Sequence, residues 1–163
     1  MSVVLPIAIT ILRCRGRYLF LRRARAPYEG LWSLIGGKVK PGEHIGAAAA
    51  REVMEETGAS GLNHQQHRGI VSERLVDANG SLLSHFLIFV GFAEVDRYEP
   101  KNIEGSLSLF TEDQIELEHH AFLPSDLCMF RRFKSKSKRA TLCEAEMVRD
   151  NGYKLVYFRE SIQ

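Results

Sequence analysis

Apolar residues are packed most densely at the start of this chain, in "VVLPIAITIL". Their Val and Ile content, bounded by the polar "RCRGR", predicts a buried strand over 3–12. A second strand over 18–22 follows a turn at Arg15–Gly16. "RRARAPYEG" reads as a polar loop, and "LWSLIGGKV" as extended structure broken by Gly36–Gly37. Pro41–Gly42 marks a turn before a helix over 43–57, with Gly58 placed to end it as a left-handed cap. "RGIVSERLV" and "SLLSHFLIFVGFAEV" flank "DANG", the pattern of a hairpin. "TEDQIELE" predicts a short helix with Thr111 as N-cap, and "PSDLCMFRRF" a second opened by Pro124 and Ser125. "TLCEAEMVRDNGYKLVYFRE" predicts a last hairpin, turning at 150–152. The fold class is α/β: a mixed, largely antiparallel sheet covered by a few helices.

Length and composition narrow this little further. The 163 residues suit one domain over 1–163, with 45% hydrophobic and 26% charged positions. A net charge of +2 does not point to a nucleic-acid or membrane partner. Cys14, Cys128 and Cys143 are odd in number and lack CxxC spacing, which suits free thiols in a reducing cytoplasm. The first apolar run is too short to span a bilayer and lacks a basic leader and a small-residue cleavage site.

The informative stretch is "GGKVKPGEHIGAAAAREVMEETGA". On a helical wheel Glu52, Glu55 and Glu56 stand at i, i+3 and i+4 and share a face. Arg51 flanks them, and Ala47, Ala50, Val53 and Met54 fall on roughly the other side, expected to pack on the sheet. Like charges so placed cost a few tenths of a kcal/mol per pair (~0.2–0.5) even when solvated. A divalent cation removes that cost, and hard Mg²⁺ or Mn²⁺ takes such oxygen ligands and bridges them to phosphate. A solvated acidic face would account for "EVMEE" alone; the surrounding spacing decides otherwise.

That spacing is G-x5-E-x7-R-E-V-x-E-E-x-G-A over 37–59. It resembles the signature box of the Nudix hydrolases, with every Gly, Glu and Arg in register. Ala59 stands where the box has a bulky aliphatic, and Ile35 where many members have proline. "FLRRARAPYEGLWSLIGG", "HFLIFVGFAEV" and "LFTEDQI" look like flanking parts of the same fold, so the resemblance covers most of 3–134. It implies an α/β/α sandwich and an enzyme that cleaves a nucleoside diphosphate linked to a group X at a pyrophosphate bond, with Mg²⁺ or Mn²⁺. Carried over residue by residue, Glu52, Glu55, Glu56 and the Gly37 carbonyl would ligate the metal. Glu52 is also a candidate general base, oriented by Arg51, while Glu43 would pair with Arg51. The metal neutralises phosphate charge and lowers the pKa of a bound water.

Outside the box, Arg23 is a candidate for substrate phosphates, with Arg22 and Arg25 beside it, and Tyr28 for base stacking. Trp32 reads as core. Many members use one more acid from a later loop; Glu104, Glu112, Asp113, Glu116 and Glu118 are the candidates. "RRFKSKSKR" reads as a solvated basic stretch, so nucleic acid is not expected as a partner. The C-terminal extension over about 140–160 either extends the sheet or forms a dimer contact, as many members are homodimers. The marks of ADP-ribose, dinucleoside polyphosphate and coenzyme A subfamilies are missing, which leaves a small nucleotide, first a nucleoside triphosphate. The alternatives are an ADP-ribose or nucleotide-sugar pyrophosphatase, a non-catalytic nucleotide sensor and an RNA 5′-end pyrophosphohydrolase.

Overall fold

The apolar run near the N-terminus forms β1 (Val4–Cys14), and it is unbroken because both faces are covered. Ala8, Leu12 and Cys14 serve the core on one side, Ile9 and Ile11 the core on the other. Arg15 and Gly16 carry the chain into β2 (Arg17–Arg23) at φ 51° and 76°, the two positive values a tight hairpin needs. A computed structural model describes residues 3–102, 104–139 and 141–161.

The remaining strands are β3 (Trp32–Ser33), β4 (Ile35–Lys38), β5 (Asn63–Asp77), β6 (Leu82–Val95), β7 (Lys101–Asn102), β8 (Gly105–Phe110), β9 (Leu142–Arg149) and β10 (Tyr153–Glu160). They join in the order β10-β9-β5-β6-β1-β2-β8-β7, with β4 added on β1 and β3 on β2. β1 with β6 and β5 with β9 pair parallel; the other pairs are antiparallel. The sheet is therefore mixed and largely antiparallel.

Helix α1 (Ile45–Thr57) covers one face, its small residues Ala48 and Ala49 packing closely on Ala8. Gly58, at φ 70°, closes it by donating its N–H to Met54 O at 2.9 Å. On the opposite face α2 (Glu112–Leu117) contributes Ile115, and α3 (Pro124–Phe133) contributes Leu127, Met129, Phe130 and Phe133, to a core with Ile9, Ile11 and Val90. Thr111 and Gln114 complete a capping box at the start of α2. No helix among the described residues is long and apolar enough to cross a membrane.

Two sequence expectations are corrected, and one strand was not anticipated. The packing face of α1 is Ala48, Ala49, Val53, Glu56 and Thr57; Ala47 and Met54 are exposed, so the wheel was rotated by about one residue and Glu56 lies on the inner side. The 31–39 segment breaks at Leu34 rather than at the glycine pair, because Gly36 and Gly37 pair with Ile9 and Ala8 inside β4. Strand β8 was not assigned from sequence, its short "GSLSLF" giving too brief an alternation. The C-terminal hairpin extends the sheet, β9 lying parallel to β5 from Ile70↔Leu142 to Asp77↔Arg149.

Candidate active site

The glycine pair allows β4, β1 and α1 to meet. A Cβ on Gly36 would lie 2.2 Å from the Ala8 carbonyl oxygen, and one on Gly37 would lie 2.6 Å from the Glu52 carboxyl carbon. The backbone at Gly37 thus runs directly against the Glu52 carboxylate.

Arg51 organises the acids around it. Its Nε and Nη2 form a fork on Glu43, at 2.7 and 2.9 Å. Its Nη1 donates to Glu52 at 2.6 Å and to Glu55 at 3.1 Å, and Nη2 also donates to the Lys38 carbonyl. Arg51, with the Lys40 N–H, holds the Glu43 carboxyl down to about 2.

Glu56 is different. It is only 8% exposed, and its Oε2 accepts the Gly36 N–H at 3.1 Å. Burial, with Glu52 and Glu104 nearby, pushes its carboxyl up to about 8, against the opposing pull of the Gly36 N–H and Arg23.

A cavity of about 760 Å³ opens here. Gly37, Glu52, Glu55 and Glu56 line it together with Arg23 and Glu104. Arg51 stands behind this wall, bonded to Glu52 and Glu55. Of the five candidate acids named from the sequence, Glu104 alone lines the cavity; Glu112 pairs with Lys134 and Glu116 with Arg131. Arg22 donates to Gly30 O and Arg25 is exposed outside the lining. Trp32 packs edge-on against Phe110, with centroids 5.0 Å apart. The basic stretch is partly occupied, since Arg131, Arg132 and Lys134 pair with Glu116, Glu160 and Glu112.

Tyr28 also lines the cavity, but as a buried group. Its ring meets Tyr153 edge-on at 4.7 Å, and its hydroxyl donates to Glu73 Oε1 at 3.3 Å. Sequence reasoning missed Glu73 and Asp126, both buried lining residues. For Glu73 a clue existed: it sits between Val71 and Leu75 on one face of β5, a glutamate where alternation demands an apolar residue. Asp126 gives none, because an acid in the first turn of a helix is already explained by the helix dipole.

Asp126 Oδ2 accepts the Leu34 N–H at 2.7 Å, yet burial, with Glu73 nearby, pushes its carboxyl up to about 7. A folded-state value above the ordinary 3.8 gives stability that is complete below pH 4 and lost as pH rises through 7. Asp126→Asn is therefore expected to exceed wild type in stability at pH 8, by up to about 4 kcal/mol, with the difference closing towards pH 4. Urea midpoints at the two pH values check this; a difference independent of pH contradicts it.

The donor set suits a hard divalent cation. It offers three carboxyl groups and a backbone carbonyl, all of them oxygen donors on one cavity wall. Among the described residues no three acidic, histidine or cysteine groups are already gathered at ligand spacing. Glu52 and Glu55 are drawn onto Arg51, and Glu56 onto Gly36, instead.

A profile of the NUDIX domain matches residues 4–133, so the chain belongs to the Nudix family. A 45-residue stretch is 49% identical to the nucleoside triphosphatase NudI of Salmonella agona (strain SL483), taking in 26% of this chain and 32% of that protein. The fold is similar to that of a MutT protein from Bacillus halodurans, with TM-score 0.77 and 24% identity over 97% of this chain and 98% of the other. It is also similar to a MutT NUDIX hydrolase from Burkholderia pseudomallei, with TM-score 0.65 and 26% identity over 80% and 98%.

Proposed function

We propose that this protein hydrolyses the pyrophosphate bond of a nucleoside diphosphate linked to X, with a nucleoside triphosphate as substrate and Mg²⁺ or Mn²⁺ as cofactor. The observation that carries the reading is the gathering of Gly37, Glu52, Glu55 and Glu56 with Arg23 in one cavity. The stretch shared with a nucleoside triphosphatase supports the choice of substrate.

In this reading Glu52, Glu55, Glu56 and the Gly37 carbonyl hold the ion. Bound there, such an ion would offset phosphate charge and lower the pKa of a coordinated water. Arg23 receives a phosphate, its Nε being already anchored on Pro27 O at 2.9 Å so that the remaining guanidinium donors are aimed by that contact. Glu52 takes the proton from the attacking water. Arg51 positions Glu52 through its 2.6 Å bond and is itself fixed by the fork on Glu43. Glu104 adds a further carboxylate to the wall.

Initial rates on nucleoside triphosphates, ADP-ribose, nucleotide sugars and dinucleoside polyphosphates test the substrate. The highest kcat/KM is expected among the triphosphates. A clear preference for ADP-ribose or a nucleotide sugar would move the protein to those pyrophosphatases, and nucleotide binding without turnover would make it a sensor.

A further inference from the structure

The floor of the cavity is a run of sheet. From the glycine pair it crosses β4, β1, β6 and β5, with Lys38 opposite Ile7, Ile7 beside Ile88, Leu5 beside Phe86, and Phe86 opposite Glu73. Three strand spacings of ~4.8 Å separate the acid wall from Glu73 by roughly 14 Å. Between them Ile7, Ile9, Phe86 and Ile88 make an apolar floor. Phosphate-binding groups thus stand at one margin, a flat apolar surface in the middle and buried polar groups at the far margin.

The far margin holds an unanswered acceptor. Glu73 is 2% exposed and lines the cavity, and its Oε2 has no hydrogen-bond partner. The Ser125 hydroxyl, itself without a partner, lies close enough to draw the Glu73 carboxyl down against the upward push of burial, but lacks hydrogen-bonding geometry to Oε2. A buried carboxyl oxygen left without a partner costs stability. Its other oxygen is held by the Tyr28 hydroxyl, and Tyr28 is backed by Tyr153. Tyr153 lies in the C-terminal hairpin, beyond the stretch the NUDIX profile matches.

We propose that Glu73 is the specificity-determining residue for the substrate's nucleobase, its free carboxyl oxygen accepting a ring N–H or exocyclic amino group of a base laid on the apolar floor. The C-terminal hairpin takes part through Tyr153, which holds Tyr28 against Glu73. Asp126, beside Glu73 on the same margin, has one oxygen engaged by Leu34 and adds a second polar group to the same edge. The inference rests on this cavity being the nucleotide site, and deepens that reading by naming what selects the base.

The test is binding, so that it does not depend on turnover. Affinities of the adenine, guanine, hypoxanthine, cytosine and uracil nucleoside monophosphates, and of ribose 5-phosphate, are measured in Mg²⁺ by ligand-detected NMR. Wild type should separate best from worst base by tenfold or more, because a site built to hydrogen-bond a group rejects analogues that misplace it. Glu73→Gln should weaken the best base about tenfold and leave ribose 5-phosphate unchanged. An even response of wild type to all bases, or an unchanged base ratio in Glu73→Gln, overturns the proposal. Should Glu73→Gln also lose ribose 5-phosphate, Tyr28→Phe carries the test by removing only the hydroxyl on Oε1, and an unchanged ratio there overturns it. Base-selective binding without hydrolysis would refute the proposed reaction while leaving this inference standing.

Discussion

Glu55→Gln and Glu56→Gln proteins are expected to fold and to lose turnover by on the order of 10²-fold or more. Changing a residue that merely supports a metal ligand typically costs about 10–100-fold, and these two are assigned as ligands themselves. The folding half of the prediction has separate grounds. Glu55 is exposed and its bond to Arg51 is one of several that Arg51 makes, so its loss leaves the fork on Glu43 intact. Glu56 keeps its contact with the Gly36 N–H when the carboxylate becomes an amide oxygen. Circular dichroism and initial rates in Mg²⁺ read the two halves independently. Wild-type turnover in both variants would remove these acids from the mechanism.

Gly36→Ala is expected to fail in the opposite way, by losing the fold. The residue sits at φ 157°, inside the pairing with β1, and a Cβ there would lie 2.2 Å from Ala8 O and 2.7 Å from Ile9 Cα. Both obstacles are backbone and cannot swing aside. Backbone strain of about 1–3 kcal/mol and overpacking of a similar size add to about 3 kcal/mol or more. Gly16→Ala is the comparison: its φ of 76° is strained, but nothing lies within 4 Å of the new Cβ, so the loss should stay near 1 kcal/mol. Urea unfolding of the pair decides it, and equal midpoints would mean that close approach at Gly36 is not what requires glycine.

What could be seen in the sequence, and what could not, follows the range of the physics. The β1–β2 turn, the helix stop at Gly58 and the cap at Thr111 are set by residues a few positions apart, and each lies where local chemistry puts it. The box was legible because its groups fall on consecutive elements, β4, the loop after it and α1. The orientation of α1 was not, because a helix with four successive alanines, Ala47–Ala50, has little contrast between faces, and the tight contact at Ala8 chose the one that packs. Glu104 could not be singled out among five acids, since its approach to the box depends on how β8 returns along β2. Glu73 and Asp126 are 53 positions apart and meet only through the packing of α3 over the sheet.

The central claim is that these box residues, with a divalent cation, break a pyrophosphate bond. Its most direct test is ³¹P NMR of a nucleoside triphosphate incubated with the protein in Mg²⁺, with excess EDTA, and with Mg²⁺ restored. The expected result is cleavage of the phosphate chain in Mg²⁺, none in EDTA, and recovery when the ion returns. Cleavage that persists in EDTA would contradict it.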